Sequence, residues 1–288
     1  MRDTILFGDC RETLKEFDEK ARMCVTSPPY YGLRNYGDEE YQIGLEQTPE
    51  DYIEQLVNVF KEVKNVLTDD GTCWVNVGDS YYNYRPGRGQ GLVKQTVSNN
   101  KQDLPDVCPR RGNRLEGLKE KDLIGIPWMF AFAMRADGWY LRQDIIWNKP
   151  NPMPESVRDR CTKAHEYIFL FSKNQNYYFD VDAIKEPTRR KRSVWNIQKK
   201  PYKGAHFAVY PPDLIEPCIK AGSEKGDIIL DPFMGSGTTA MVAKSLGRDY
   251  IGCELHEDYG NLIQKRVKEY HPVEEVSQET SVNILDIV

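Results

Sequence analysis

The sequence contains no CxxC pair. Its seven cysteines, at 10, 24, 73, 108, 161, 218 and 253, are odd in number and far apart. That spacing argues against a disulfide framework or a metal cluster and for a reducing compartment. A long apolar run is also missing: the longest, 126–134, is short and interrupted by Pro127, so no segment is expected to span a bilayer. No leader-like stretch precedes the first strand-like run at 4–7, and a cytoplasmic protein is expected. Finally there is no basic surplus, with 39 Lys plus Arg against 44 Asp plus Glu and a net charge of −5. Averaged over the chain, this counts against a nucleic-acid partner, because phosphate contacts need Lys and Arg.

What is present alters that average. Residues 85–122 carry nine basic and five acidic side chains with no aromatic, and 185–203 carry eight basic against Glu186, with Trp195 and Tyr202 among them. The two segments hold +4 and +7, leaving −16 for the remainder. They read either as solvated loops or as a basic, aromatic-studded surface for nucleic acid. At 288 residues and 40% hydrophobic, the chain suits one large α/β domain with a basic insert.

Short β-branched or aromatic runs alternate with helical patterns, the signature of a doubly wound, mostly parallel sheet. Strands are expected at 4–7, 23–26, 73–77, 141–147, 167–171, 228–230 and 250–253. The clearest helix begins at Thr48, with Pro49 in its first turn and Asp51 where a capping-box acid belongs, and is expected to end at Asp70 and Gly71. Further helices are expected over 123–136, from Pro212 or Asp213, over 238–246 and over 258–270.

Chemistry first appears in 226–254, where a strand runs into Asp231, Pro232, Phe233, Met234, Gly235, Ser236, Gly237, Thr238 and Thr239, then a helix, then a strand ending at Glu254. Glycines at 235 and 237 let the backbone turn and approach a ligand, and the amides of the helix start face it. Glu254 at the next strand's end is placed to accept both hydroxyls of a ribose. A nucleoside triphosphate is disfavoured because no Lys-Ser/Thr follows the last glycine. A dinucleotide stays open, since Gly235, Gly237 and Ala240 fit the alanine-ended fingerprint. Asp231 shifts the weighting toward a cationic or hydroxyl-bearing ligand.

The second motif, Thr26, Ser27, Pro28, Pro29, Tyr30, follows a strand directly and so belongs at the sheet's carboxyl edge. It reads either as a turn that stops a strand or as a rigid row of carbonyl acceptors. Such acceptors suit methylation of an exocyclic amine, whose lone pair is delocalised into the ring until its hydrogens are held. Ser27 Oγ and the Pro28 carbonyl are the candidate acceptors, and Tyr30 the surface on which a base stacks.

Taken with the loop DPFMGSGTT, the tetrad SPPY resembles the amino-methylating DNA methyltransferases. The tetrad precedes the loop by about 200 residues, an order similar to that of the circularly permuted β group, as are the phrases TSPPYYGLRNYG, WNKPNPMPESVRDR and HFAVYPPDLIEPCI. The likeness covers roughly residues 4–270. It implies a Rossmann-like fold dependent on S-adenosylmethionine. It also implies catalytic roles for Ser27, Pro28, Pro29 and Tyr30, and cofactor contacts from Asp9, Thr26, Asp231, Phe233, Gly235, Ser236, Gly237, Thr238 and Glu254. DNA contacts are expected from Lys149, Arg158, Arg160, Arg189, Arg190, Lys191 and Arg192, and no metal is expected. The leading Ser27 favours N4 of cytosine, with N6 of adenine the alternative. C5 methylation is disfavoured, because it needs a thiolate in a Pro-Cys loop and Pro217-Cys218 falls in a helical pattern.

The corresponding division is a catalytic half over 1–84, a basic insert over 85–122, a second part of the core over 123–184, a DNA-contact segment over 185–205, a cofactor part over 206–272 and an acidic tail over 273–288. Double-stranded DNA is the expected partner, in a nucleoid-associated prokaryotic or phage setting. A homodimer and a separate restriction endonuclease stay open. So do a nicotinamide-dependent oxidoreductase built on the same glycine loop, a non-catalytic DNA-binding relative, and methylation of RNA or protein.

Overall fold

A computed structural model describes residues 1–32, 41–82, 115–199 and 210–270. In chain order the elements are β1 (Thr4–Phe7), α1 (Cys10–Thr13), β2 (Ala21–Thr26), α2 (Pro49–Val66), β3 (Leu67–Val77), α3 (Ile126–Ala136), β4 (Tyr140–Asn148) and β5 (His165–Ser172). There follow β6 (Val194–Asn196), α4 (Pro212–Gly222), β7 (Ile228–Asp231), α5 (Thr238–Ser245), β8 (Asp249–Glu254) and α6 (Tyr259–Glu269). The strands form one sheet in the order β1-β8-β7-β2-β3-β5-β4-β6. It is parallel except where β5 runs against β3 and β4.

Side chains alternate across this sheet, as the two-residue period of a strand requires. Cys24, Cys73, Val75, Phe169 and Phe171 share one core with α2 and α3, while Met23, Val25, Trp74, Ile168 and Leu170 share the other with α4, α5 and α6. Helix α2 shows how locally this is encoded. Thr48 caps it by accepting the Asp51 amide, and Tyr52, Leu56, Val59, Phe60 and Val63 form a fully buried stripe. Each such side chain contributes about 1.5–3 kcal/mol of burial.

Three boundaries differ from expectation for identifiable reasons. Helix α2 ends at Val66, not Asp70, because Leu67 is already extended and, with residues 72–75, pairs with β2. The Asp70 and Gly71 carbonyls there accept the Tyr178 and Lys173 amides. Helix α3 opens at Ile126, since Leu123 is held in a bridge to Tyr81 and Asp79 accepts the amides of Gly125 and Ile126. Strand β6 went unforeseen inside the basic segment, where Trp195 lies beside Trp147 in parallel register and is 5% exposed. Residues 85–114, 200–209 and 271–288, which include most of the expected basic insert and the acidic tail, lie outside the described residues.

The sheet also positions a crevice. From β2 the chain crosses through α2 to β3 on one side, and from β7 through α5 to β8 on the other. The parallel neighbours β2 and β7 therefore diverge at their carboxyl ends, which is where open α/β sheets bind ligands.

Candidate active site

Both motifs meet at that divergence. Thr26 closes β2 and Asp231 closes β7, and the Thr26 hydroxyl donates to Asp231 Oδ1 at 2.5 Å. The same carboxylate accepts the Phe233 amide at 3.0 Å, the Tyr210 hydroxyl at 3.2 Å and the Thr239 hydroxyl. It is 1% exposed, and burial pushes its pKa up. Four donors occupy the two oxygens, so Asp231 is a strut tying the tetrad strand to the glycine loop and α5. The expected contact between its carboxylate and a ligand gives way to that role.

The glycine loop is held open from the other side by Glu254, which ends β8. Its Oε2 accepts the Gly235 amide at 2.7 Å and its Oε1 the His256 amide at 3.0 Å. Burial raises its pKa to about 7. Gly237 adopts φ +81°, and a Cβ there would stand 2.7 Å from Ile263 Cγ2, so only glycine lets α6 close on the loop. Ser236 is turned away, its carbonyl and hydroxyl both receiving Arg266. Thr238 Oγ1 at the start of α5 is buried without a hydrogen-bond partner among the described residues. Phe233 is half-buried beside them.

Asp9 lies at the end of β1, alongside β8, where the Gly8 amide donates to the Glu254 carbonyl at 2.9 Å. The Asp9 carboxylate caps α1 and pairs with Arg11 at 2.6 Å. Asp9 and Glu254 thus end two neighbouring strands beside the glycine loop and Thr238, a set able to hold a polar nucleoside with an aminoacyl-like tail.

In the tetrad, the two proline carbonyls have different partners. Pro29 O accepts the Tyr52 hydroxyl at 2.7 Å, whereas no donor among the described residues reaches Pro28 O. Ser27 is half-buried, with its hydroxyl against the Tyr30 phenol. The Tyr30 ring lies over Gly78, where a Cβ would stand 2.5 Å from Cε2. Its hydroxyl donates to Glu166 Oε2 at 2.8 Å and lies 3.2 Å from Asn76 Oδ1. Burial and the Glu166 carboxylate raise the phenol's pKa well above the ordinary value, so it remains a donor.

Of the expected DNA contacts, Lys149 is displaced. It is 6% exposed, its ammonium meets Glu166 Oε1 and lies 4.2 Å above the Trp147 ring, so it does not reach a phosphate at the surface. Arg160 pairs with Glu155 at 2.7 Å and covers the Tyr81 ring at 3.8 Å, which makes it a clamp for its own loop. Arg158, Arg190 and Arg192 are exposed and without ion-pair partners among the described residues, Arg189 pairs with Glu186, and Lys191 lies 5.0 Å over Trp195. Sequence reasoning set Glu166 aside with its neighbour His165 as an unneeded acid/base pair, and missed Asn76. The available signal was the antiparallel pairing of β4 with β5, which sets Trp147 opposite Glu166. His165 opens β5 with its ring edge on Tyr167, a structural position. Cys218 is buried in α4 with its thiol pKa pushed up by burial, unsuited to nucleophilic attack.

The comparisons with known proteins follow the same lines. The N6/N4 methyltransferase family model, described as DNA methylase, matches residues 21–265. The type II methyltransferase M.SmaI of Serratia marcescens is 49% identical over 271 residues, covering 91% of this chain and 90% of its own. M.XycI of Xanthomonas campestris pv. cyanopsidis is 48% identical over 275 residues, covering 93% and 89%. Among solved structures, the cytosine-N4-specific PvuII DNA methyltransferase superposes with a TM-score of 0.67 at 21% identity, covering 92% of this chain and 86% of that one. The M1.HpyAVI–SAM complex gives 0.57 at 21% identity, covering 91% and 98%. With one family model running from β2 and its tetrad through the glycine loop into α6, and relatives near half-identity along nine-tenths of its length, this chain belongs to the DNA methylase family.

Proposed function

We propose that this chain methylates the exocyclic amine of a base flipped out of double-stranded DNA, N4 of cytosine in preference to N6 of adenine, with S-adenosylmethionine as donor. The observation that carries the proposal is the Thr26–Asp231 bond, which sets the tetrad beside the glycine loop with the Pro28 carbonyl unclaimed among the described residues. Glu254 would hold the ribose hydroxyls, Asp9 the adenine edge, and the glycine loop with Thr238 the aminoacyl part. The donor supplies an electrophilic methyl on its sulfonium. Everything else falls to the chain: Pro28 O and Ser27 Oγ hold the amine hydrogens so that the nitrogen lone pair leaves the ring plane, and Tyr30 stacks on the base. Rate then comes from proximity and alignment, with no strong base required.

Ser27, neutral and able both to donate and to accept, serves the cytosine ring nitrogen and amine together. The cytosine specificity in the name of the PvuII structural neighbour agrees with this reading. Arg158, Arg189, Arg190, Lys191 and Arg192 would line the DNA side, with β6 as their support. The order of the two motifs suits the permuted β group, and the type II designation of the relatives suits a partner endonuclease on a separate chain.

Sequencing-based mapping of modified positions in a host expressing the chain tests this. N4-methylcytosine at one recurring sequence is expected. N6-methyladenine would transfer the assignment to the alternative base, and an unmodified genome would overturn the reading.

A further inference from the structure

We propose that Glu166, fixed in place by Lys149, is a positioning residue for the transfer step: it holds the Tyr30 phenol and thereby the ring plane on which the target base stacks. This inference rests on the functional reading above and assigns a buried charged cluster that reading leaves idle.

The geometry is specific. Glu166 Oε2 receives Tyr30 Oη at 2.8 Å and Asn76 Nδ2 at 3.3 Å, and its Oε1 receives the Lys149 ammonium. Asn76 Nδ2 also donates to the Tyr167 carbonyl at 3.1 Å, which locks the amide's orientation. Lys149 is tied down in turn by its amide on the Ala164 carbonyl at 2.7 Å and by the Trp147 ring beneath it. Strands β3 and β5 and the residue that follows β4 thus converge on the tip of one tetrad side chain.

Burial alone would raise the Glu166 pKa, but Lys149, Tyr30 and Asn76 together hold it below the ordinary carboxylate value, so the acceptor stays charged. A buried ion pair is a poor source of stability, because desolvation offsets its attraction. An apolar pair would fill the space as well, and would take away the phenol's charged acceptor at 2.8 Å, leaving it the Asn76 carbonyl at 3.2 Å and the Ser27 hydroxyl. The ring itself is fixed on one face by Gly78, and the tetrad by Tyr52 on the Pro29 carbonyl, so the phenol's tip is the remaining freedom. Releasing it loosens the alignment that an in-line transfer needs, and the loss belongs in kcat rather than in binding.

The test compares two charge-neutral replacements of the pair, K149M/E166Q, which keeps an acceptor for Tyr30, and K149M/E166L, which does not. Each is made with Tyr30 and with Y30F. With Tyr30 present, the leucine form is expected to lose about tenfold or more in kcat while the glutamine form stays within about threefold of wild type. In the Y30F background the two are expected to be indistinguishable, and S-adenosylmethionine affinity by calorimetry and KM for DNA to remain within about twofold throughout. Should the leucine form fail to fold, K149M/E166A takes its place.

Equal kcat for the two forms with Tyr30 present overturns the positioning role. So does an undiminished difference between them in Y30F, or a loss carried by KM or cofactor affinity. Absence of any DNA methylation by the wild-type chain would instead overturn the parent reading, so the two failures are distinct.

Discussion

Glu254 carries the sharpest consequence at the level of single residues. Its pKa of about 7 is set first by burial, against the His256 and Gly235 amides that lower it. Because this exceeds the ordinary value of 4.5, the folded chain holds the proton more tightly than the unfolded one. The group's contribution to stability is therefore complete below 4.5 and is lost as pH rises through about 7. Two hydroxyls, by contrast, are best accepted by the ionised carboxylate. Calorimetry should find S-adenosylmethionine affinity rising from about pH 6 to about pH 8, while E254Q binds about tenfold more weakly with a flat profile. Over the same range E254Q should melt at higher temperature than wild type without ligand. A wild-type affinity that is flat in pH would remove Glu254 from the ribose site.

In the tetrad, S27A should lower turnover by about tenfold to a hundredfold through loss of one amine acceptor, with cofactor affinity retained. P28A, which keeps the carbonyl and loses only its rigidity, should cost less. The tetrad's place at the end of β2 was readable from the sequence because a strand-like run leads directly into it. The Lys149–Glu166 pair was not, since it joins a residue just past the end of β4 to one on β5 through a register that only pairing fixes.

Among the elements, most strands announced themselves as short β-branched or aromatic runs and α2 by its cap and stripe. Competition between neighbouring elements was the hidden part: β3 takes residues 67–71 from the expected helix, and β6 forms because Trp195 fits beside Trp147 at the sheet edge. The glycine loop depends on such fits as well. Gly237→Ala puts a methyl into Ile263 at a left-handed backbone position, and should cost about 1–3 kcal/mol in denaturant unfolding together with reduced cofactor affinity. Asp231→Ala should be more severe, leaving the hydroxyls of Thr26, Thr239 and Tyr210 without their shared acceptor. Unchanged cofactor affinity in that variant would show that the strut does not organise the loop.

For the whole molecule, the net charge of −5 conceals a partition into +11 over two segments and −16 elsewhere. The described part of the second segment keeps Arg189, Arg190 and Arg192 exposed around a strand pinned by Trp195, so charge is displayed on a fixed scaffold. Replacing these three arginines with glutamine should flatten the dependence of log affinity for DNA on log salt by about two to three units. An unchanged slope would place the phosphate contacts elsewhere.

On the reading proposed above, the tetrad and the glycine loop form one site that moves a methyl group to a base amine. Incubating the chain with methyl-labelled S-adenosylmethionine and DNA of mixed sequence, then resolving the nucleosides by mass, addresses it directly. Labelled N4-methyldeoxycytidine with wild type, and its near-absence with S27A at equal cofactor binding, is the predicted result. Label in neither N4-methylcytosine nor N6-methyladenine, despite bound cofactor, would contradict the account.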